Sequence, residues 1–389
     1  MTWDEERAAR AVLTQVVDAG DPRVGPLVAA EGAASVLAAL RASPREDAWP
    51  RRARAVDAED LERRARAHAL RFLVPGDDEW PLRLDDLDRC DRLNGMGGAP
   101  LGLWAGGPGH LAELAGRAVA IVGSRAATAY GERVSVDLAG QLAADGALRD
   151  GWTIVSGGAY GIDAAAHRGA LAVDGRTVGI YANGLDVAYP PQNGGLFERL
   201  RGQRLVISET PPGQAPTRPG FLARNRLIAA LGLGVIVVEA AVRSGAKNTA
   251  AWGDALHRLV MAVPGPIYAA TSVGTHELIR DGRASLVASA DDVRALLAPV
   301  GQAPLPAAEP AARLRDGLTP EQVRVCEALP ARGAVGVAEV ALRSGLSMAG
   351  CQAALIHLSC LDLAVAAGPG TWRAVRPRAV RVSPVGGLP

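Results

Sequence analysis

The chain has 389 residues, enough for two or three domains with a real core, and a formal net charge of only +1. It has no run of 18 apolar residues, and its start, MTWDEERAAR, lacks a signal-peptide layout, so it reads as a cytoplasmic protein with no membrane partner. Charge balances to −4 over residues 1–110, +2 over 111–300 and +3 over 301–389, so any anion site must be a local cluster rather than a global field.

Residues 1–70 are rich in Ala and Arg, with helical periodicity and no strand-like run. The stretch DAGDPRVGPLVAAEGAASVLAAL alternates Gly-bearing turns with short apolar helices, which predicts a small helical domain of the helix-hairpin kind. A turn-rich segment, DDEWPLRLDDLDRCDRLNGMGGAPLGLWAGG, leads into a central domain placed at 71–298. There, short apolar runs alternate with helix-length segments: AVAIVG (118–123), TIVSGG (153–158), TVGIYA (177–182), RLVISE (204–209), GVIVVEA (234–240) and LVMAVPG (259–265). Such β-α repeats predict an α/β fold, a doubly wound Rossmann-like sheet with its crevice at the carboxyl ends of the strands. Residues 299–313, PVGQAPLPAAEPAAR, read as a Pro/Ala-rich linker. Residues 314–376 have helix–turn–helix punctuation, from Thr319-Pro320-Glu321 through the turn Ser344-Gly345-Leu346-Ser347, and then a hairpin tipped by GPGTW. That pattern suggests a winged helix, followed by a disordered tail at 377–389.

The polar motifs stand just after the expected strands. In VGSR, Gly123 permits a close turn, Ser124 supplies a donor and Arg125 a planar fork suited to phosphate. In SGGAYGID, Ser156 is followed by Gly157, Gly158 and Gly161, which allow backbone N–H groups to converge on an anion at a helix start. Asp163 and His167, four apart, share a face of that helix; the plain alternative is a tight turn with a capping Asp. RPGFLARNRLIAAL carries Arg218, Arg224 and Arg226 with Phe221 and Asn225 between them, which is charge for phosphates and a ring for a base. Arg224 and Arg226 cannot point the same way on a helix, which leaves one of them a structural role. SGAKNTA adds Ser244, Gly245, Asn248 and Thr249 after a strand ending at Glu239, and Lys247 there reads as an incidental surface residue. All these residues except Glu239 and Lys247 are candidate DNA-binding positions.

Other chemistries lack their motifs. GxGxxG fails because SRAATAYG follows AVAIVG, and GxxxxGK[ST] and GxSxG are absent, as are paired catalytic carboxylates. The cysteines Cys90, Cys326, Cys351 and Cys360 form no CxxC, and no HExxH occurs, so neither metal nor cofactor is expected.

The ordered motifs AIVGSR, VSGGAYGIDAAAHRGAL, GLDVAYPPQN, SETPPG, RNRLIA, VIVVEA, SGAKNTA and AVPGPI resemble those of the DprA/Smf family, the DNA processing proteins of natural transformation. The resemblance covers essentially the whole chain. It implies an N-terminal domain like a sterile alpha motif, an extended Rossmann domain opening at VPGDDEWPLRL, and a C-terminal winged helix. It implies a non-enzymatic homodimer that binds and protects single-stranded DNA and loads RecA recombinase onto it. By motif, Arg125 and the segment from Arg218 to Phe221 match DNA-contacting positions, and the SGGAYGID loop forms the pocket floor. Two departures, SGAKNTA for the common SGSLITA and the Gly-Gly in YPPQNGGLFERL, touch the rim and remove no pocket charge. The competing reading is a nucleotide-binding or nucleotide N-glycoside-hydrolysing enzyme of the lysine-decarboxylase-like family. Its PGGxGTxxE loop has no counterpart, the nearest segment being SGAKNTAAWGDAL.

Overall fold

The computed structural model describes residues 3–144, 151–298, 318–330 and 333–375. The expected linker and tail lie outside the described residues. The chain forms two units, Met1–Pro304 and Leu305–Pro389.

The first unit begins with five helices: α1 (Glu5–Val16), α2 (Val24–Glu31), α3 (Ala33–Ala42), α4 (Ala48–Ala55) and α5 (Ala58–Ala67). Helix α1 starts where Asp4 accepts from the Arg7 N–H, and Glu5 and Glu6 sit at the positive end of its dipole. Its Ala9, Val12, Leu13 and Val16, spaced three and four apart, are buried against Val28, Val36, Leu37 and Leu61. These helices do not stand apart from the sheet. Ala11 of α1 and Ala65 of α5 pack with its Phe72, Trp104 and Tyr181 in one cluster.

The sheet has nine strands: β1 (Leu70–Leu73), β2 (Leu103–Gly106), β3 (Ala118–Val122), β4 (Thr153–Ser156), β5 (Thr177–Tyr181), β6 (Leu205–Ser208), β7 (Gly234–Val237), β8 (Leu259–Ala262) and β9 (Ser285–Leu286). Their order is β1-β2-β6-β5-β4-β3-β7-β8-β9. From β6 to β9 all neighbours pair parallel, while β1 and β2 are antiparallel additions at one edge. The six apolar runs of the sequence supply β3 to β8. These strands are buried on both faces because helices cover both. The helices are α6 (Leu111–Gly116), α7 (Ala129–Ala143), α8 (Ile162–Ala172), α9 (Gly194–Gln203), α10 (Arg218–Leu231), α11 (Gly245–Ala255), α12 (Val273–Arg280) and α13 (Ala290–Leu296).

The second unit comprises α14 (Pro320–Ala328), β10 (Val335–Gly336), α15 (Val337–Ser344), α16 (Met348–Cys360), β11 (Ala364–Gly368) and β12 (Thr371–Ala374). Thr319 and Gln322 form a capping box at the start of α14, and Gly345 ends α15 in the left-handed region. Val325, Val340, Leu355 and Leu358 form its own core. Among the described residues, no single helix is long and apolar enough to cross a membrane.

Candidate functional site

A doubly wound sheet opens its crevice where successive strands leave in opposite directions. Here the chain runs from β3 outward through β4, β5 and β6, then returns to the other side of β3 with β7. At that point lies a cavity of about 460 Å³. The loop after β3 lines it with Gly123, Ser124 and Arg125, and α8 contributes Asp163. Helix α10 contributes Arg218, Phe221, Arg224 and Asn225, and the turn into α11 contributes Arg243, Ser244, Gly245 and Thr249. The lining therefore holds four arginines against a single carboxylate.

Helix α10 sets this face. The Thr217 hydroxyl accepts from the Gly220 N–H at 3.0 Å, and Pro219 occupies the first turn, where a missing N–H costs nothing. Arg218, Phe221, Asn225 and Ile228 then recur at helical spacing along the cavity wall. At the mouth, the exposed Arg125 guanidinium lies 4.6 Å from the centre of the half-buried Phe221 ring, a cation–π arrangement. The Phe221 ring stands 5.9 Å from that of Tyr189. Tyr189, Tyr160, Tyr181 and Gly157 line a smaller cleft of about 40 Å³, with Arg125 and Phe221 as its shared wall.

At the floor, Arg224 is buried and its Nη1 donates to the Ile180 carbonyl at 2.7 Å. Gly157 is required beside it, since a Cβ there would sit 1.6 Å from that nitrogen. Asp163 is also buried. The backbone of Ala159 and Gly157 favours the charged form of its carboxylate. Burial pushes the Asp163 carboxyl up and outweighs the pull of Arg224 and Arg125 in the other direction, while burial lowers Arg224.

The loop that aims Arg125 is held from behind by Glu239. The Glu239 carbonyl accepts from the Ser124 N–H at 2.8 Å. Its carboxylate, 1% exposed as a residue, accepts from the Thr128 N–H at 2.9 Å, the Thr128 hydroxyl at 2.5 Å and the Thr271 hydroxyl at 3.3 Å. Glu239 does not line the cavity.

Several expected site residues lie elsewhere. Arg226 points away from the cavity: its guanidinium, 1% exposed, pairs with Glu209 through two 2.7 Å bonds and also donates to the Gly98 carbonyl. The reason is helix geometry, since residues two apart point to opposite sides. His167 is also removed from the site. It is fully buried against Thr177, 2.7 Å from Nδ1 to Oγ1, and burial holds its pKa at about 3. The Ser156 hydroxyl donates to the Ile121 carbonyl, and Gly158 packs on the Tyr181 ring. Gly161, at φ +71°, lies against the Ser124 carbonyl. The anion nearest this helix start is the protein's own Asp163, whose charged form the Ala159 and Gly157 backbone favours. Asn248 lies behind Asn225 and accepts from its amide at 3.2 Å. Lys247 pairs with Glu277 at 2.7 Å.

Reasoning from the sequence passed over Arg243, Tyr160 and Tyr189 as site residues. Arg243 immediately precedes SGAKNTA and the tyrosines stand in loops, so only their position after strands marks them. Among the described residues no cluster of His, Cys, Asp and Glu could hold a metal.

The family model described as DNA recombination-mediator protein A matches residues 71–298. The chain is 46% identical over 321 residues to a Mycobacterium tuberculosis protein described as a DNA processing protein DprA, spanning 82% of this chain and 80% of that one. It is 44% identical over 187 residues to DNA processing protein DprA of Streptococcus pneumoniae, spanning 48% and 64% of the two chains. The solved structure of the Streptococcus pneumoniae protein superposes with a TM-score of 0.61 at 31% identity, covering 76% of this chain and 98% of that one.

Proposed function

The chain belongs to the DNA recombination-mediator protein A family, and from that premise we propose that its pocket binds single-stranded DNA without strong sequence preference. The observation that carries this reading is Arg125 stacked on Phe221 at the mouth of a cavity lined by four arginines. Exposed guanidinium forks suit phosphate oxygens, and exposed rings suit the face of any base. Among the described residues that line the pocket, phosphate-type donors and one ring predominate rather than a set that reads base edges. The pocket residues proposed to contact DNA are Arg125, Arg218, Arg243 and Phe221 at the mouth, with Ser124, Asn225, Ser244 and Thr249 on the walls. Arg224 and Asp163 set the floor.

The protein then acts as a binder rather than an enzyme, as a homodimer in the cytoplasm that protects incoming strands and delivers them to RecA recombinase. The glycoside-hydrolase alternative finds no support. Its PGGxGTxxE loop has no counterpart in the sequence, where the nearest segment, SGAKNTAAWGDAL, lacks both the PGG and the Glu.

The test is a titration of labelled single strands and of duplex of equal length at several salt concentrations. Single strands should bind more tightly, and log affinity should fall linearly with log salt by about 0.7 per phosphate contacted. Equal affinity for duplex, or no salt dependence, overturns the reading. Sedimentation of the free protein and of its mixture with RecA tests the dimer and the partner.

A further inference from the structure

The same end of the sheet carries an exposed apolar rim that the pocket does not use. The loop after β8 presents Ile267 and Tyr268, 75% and 96% exposed, and Tyr130 and Val242 flank it at 42% and 56%. An isolated exposed apolar residue is ordinary, but Tyr130 in the first turn of α7, Val242 after β7, and Ile267 and Tyr268 after β8 stand beyond three adjacent strands, and Tyr130 is bonded to the β8 loop. Neighbouring strands lie about 4.8 Å apart, so the β8 loop stands one strand beyond the loop that carries Arg243.

The rim is braced against the pocket. The Tyr130 hydroxyl donates to the Pro264 carbonyl at 2.7 Å, and the Ala240 N–H donates to the Thr271 carbonyl at 2.7 Å. The Glu239 carboxylate joins Thr128, behind the Arg125 loop, to Thr271, behind the Tyr268 loop. Pocket mouth and rim are therefore parts of one braced block.

We propose that a single strand seated in the pocket continues over this rim, with its phosphates beside Arg243 and a base stacked on Tyr268. The inference rests on the pocket being a single-strand site, and it extends that site along the strand. A guanidinium followed by an exposed ring is what a sequence-tolerant strand path needs. A second copy of the chain is the competing occupant, but a two-fold contact sets the same patch against itself. Here that would bring together two copies of a patch bordered by the exposed Arg125 and Arg243, like charge against like, while Arg133 is paired with Asp137. Glu132 lies two residues beyond Tyr130 on α7 and therefore on another side of the helix.

The experiment is an anisotropy titration of oligothymidylates from about four nucleotides upward, against the parent, Tyr268→Ala, Tyr268→Phe and Arg125→Ala, with sedimentation of each variant. Tyr268 is so exposed that its loss leaves the fold intact. Tyr268→Ala should bind the shortest strand like the parent and long strands about tenfold more weakly, and Tyr268→Phe should restore long-strand binding. Parent-like binding of every length by Tyr268→Ala overturns the path. A changed oligomeric state in Tyr268→Ala, with the loss tracking protein concentration, also overturns it and makes the rim a protein interface. Failure of the underlying reading gives a different result: Arg125→Ala would then bind the shortest strand as well as the parent, or the parent would bind no strand.

Discussion

Arg125 and Phe221 touch, and that contact decides what their variants should do. With the guanidinium 4.6 Å from the ring centre, the ring orients the fork as well as offering a face to a base. Arg125→Ala should weaken single-strand binding and reduce the salt slope by about 0.7, one phosphate contact. Phe221→Ala should also lower the slope, because Arg125 loses its support. The double variant should be less damaging than the sum of the singles by about 1 kcal/mol, the coupling expected of neighbours. Additive losses, with the slope unchanged in Phe221→Ala, would show that the two side chains work separately. His167 makes a different prediction at the same scale. Burial holds it neutral in the fold with a pKa of about 3, against an ordinary value of 6.5. Between those values the unfolded chain binds the extra proton. Its contribution to stability is therefore full above about pH 6.5 and is lost as pH falls toward 3, at up to about 1.4 kcal/mol per unit. The raised Asp163 carboxyl acts in the opposite sense, its contribution fading as pH rises through its folded value. The measurement must therefore be a difference: urea unfolding of the parent and of His167→Asn between pH 7.5 and 5. The parent should lose stability faster on acidification, and parallel curves would contradict the assignment.

Among elements, α10 joins the pocket to the N-terminal region, with one arginine for each. Arg224 faces the cavity floor, whereas Arg226 meets Glu209 and the Gly98 carbonyl on the other side, beside Gly20 of the N-terminal helical region. Glu209→Ala strands a guanidinium that is 1% exposed and should cost about 3–5 kcal/mol in chemical unfolding. Arg226→Met should be better tolerated, since the Glu209 carboxylate it strands is 12% exposed and can be hydrated, and should leave DNA affinity per folded molecule unchanged. A selective loss of affinity in Arg226→Met would restore it to the binding site. The same helix shows how much of the molecule was legible in the sequence. Apolar runs between turns marked β3 to β8 because both faces of those strands are buried. Strands β1 and β2 were missed because LRFL and LWAG are short and lie in turn-rich surroundings. The motif loops located the cavity. Which side chain in each loop faces it was not legible, because that depends on packing: Arg226 and His167 were read as site residues, and they are buried against Glu209 and Thr177. Glu239 was visible only as the end of a strand, since its threonine partners are 111 and 32 residues away.

At the scale of the whole molecule, the two units divide the chemistry unequally. Every residue lining the cavity belongs to the first unit. The second unit has its own core around Val325, Val340, Leu355 and Leu358 and should fold alone, in a single cooperative transition. Its described residues form three helices and a small three-stranded sheet, and we propose that this is the winged helix expected from the sequence. Such domains usually present a helix to DNA, and affinity for a duplex comes mainly from cations that displace condensed counterions. Helix α16, MAGCQAALIHLSC, carries no Arg or Lys, and its exposed residues include Met348, Gln352, Ile356 and His357. This face cannot supply the electrostatic share of duplex binding. A chain ending at residue 298 should therefore keep single-strand affinity within about tenfold of the parent, or 1.4 kcal/mol. The isolated unit should bind duplex no better than weakly at physiological salt, because its exposed Arg324, Arg343 and Arg373 lie off α16 and Arg343 pairs with Glu339. Both outcomes rest on where the cations lie, and a mobility-shift titration of the two fragments checks them together. A larger loss in the truncated chain, or tight salt-dependent duplex binding by the fragment alone, would place a DNA contact on the second unit, where Arg324, Arg343 and Arg373 are exposed away from α16.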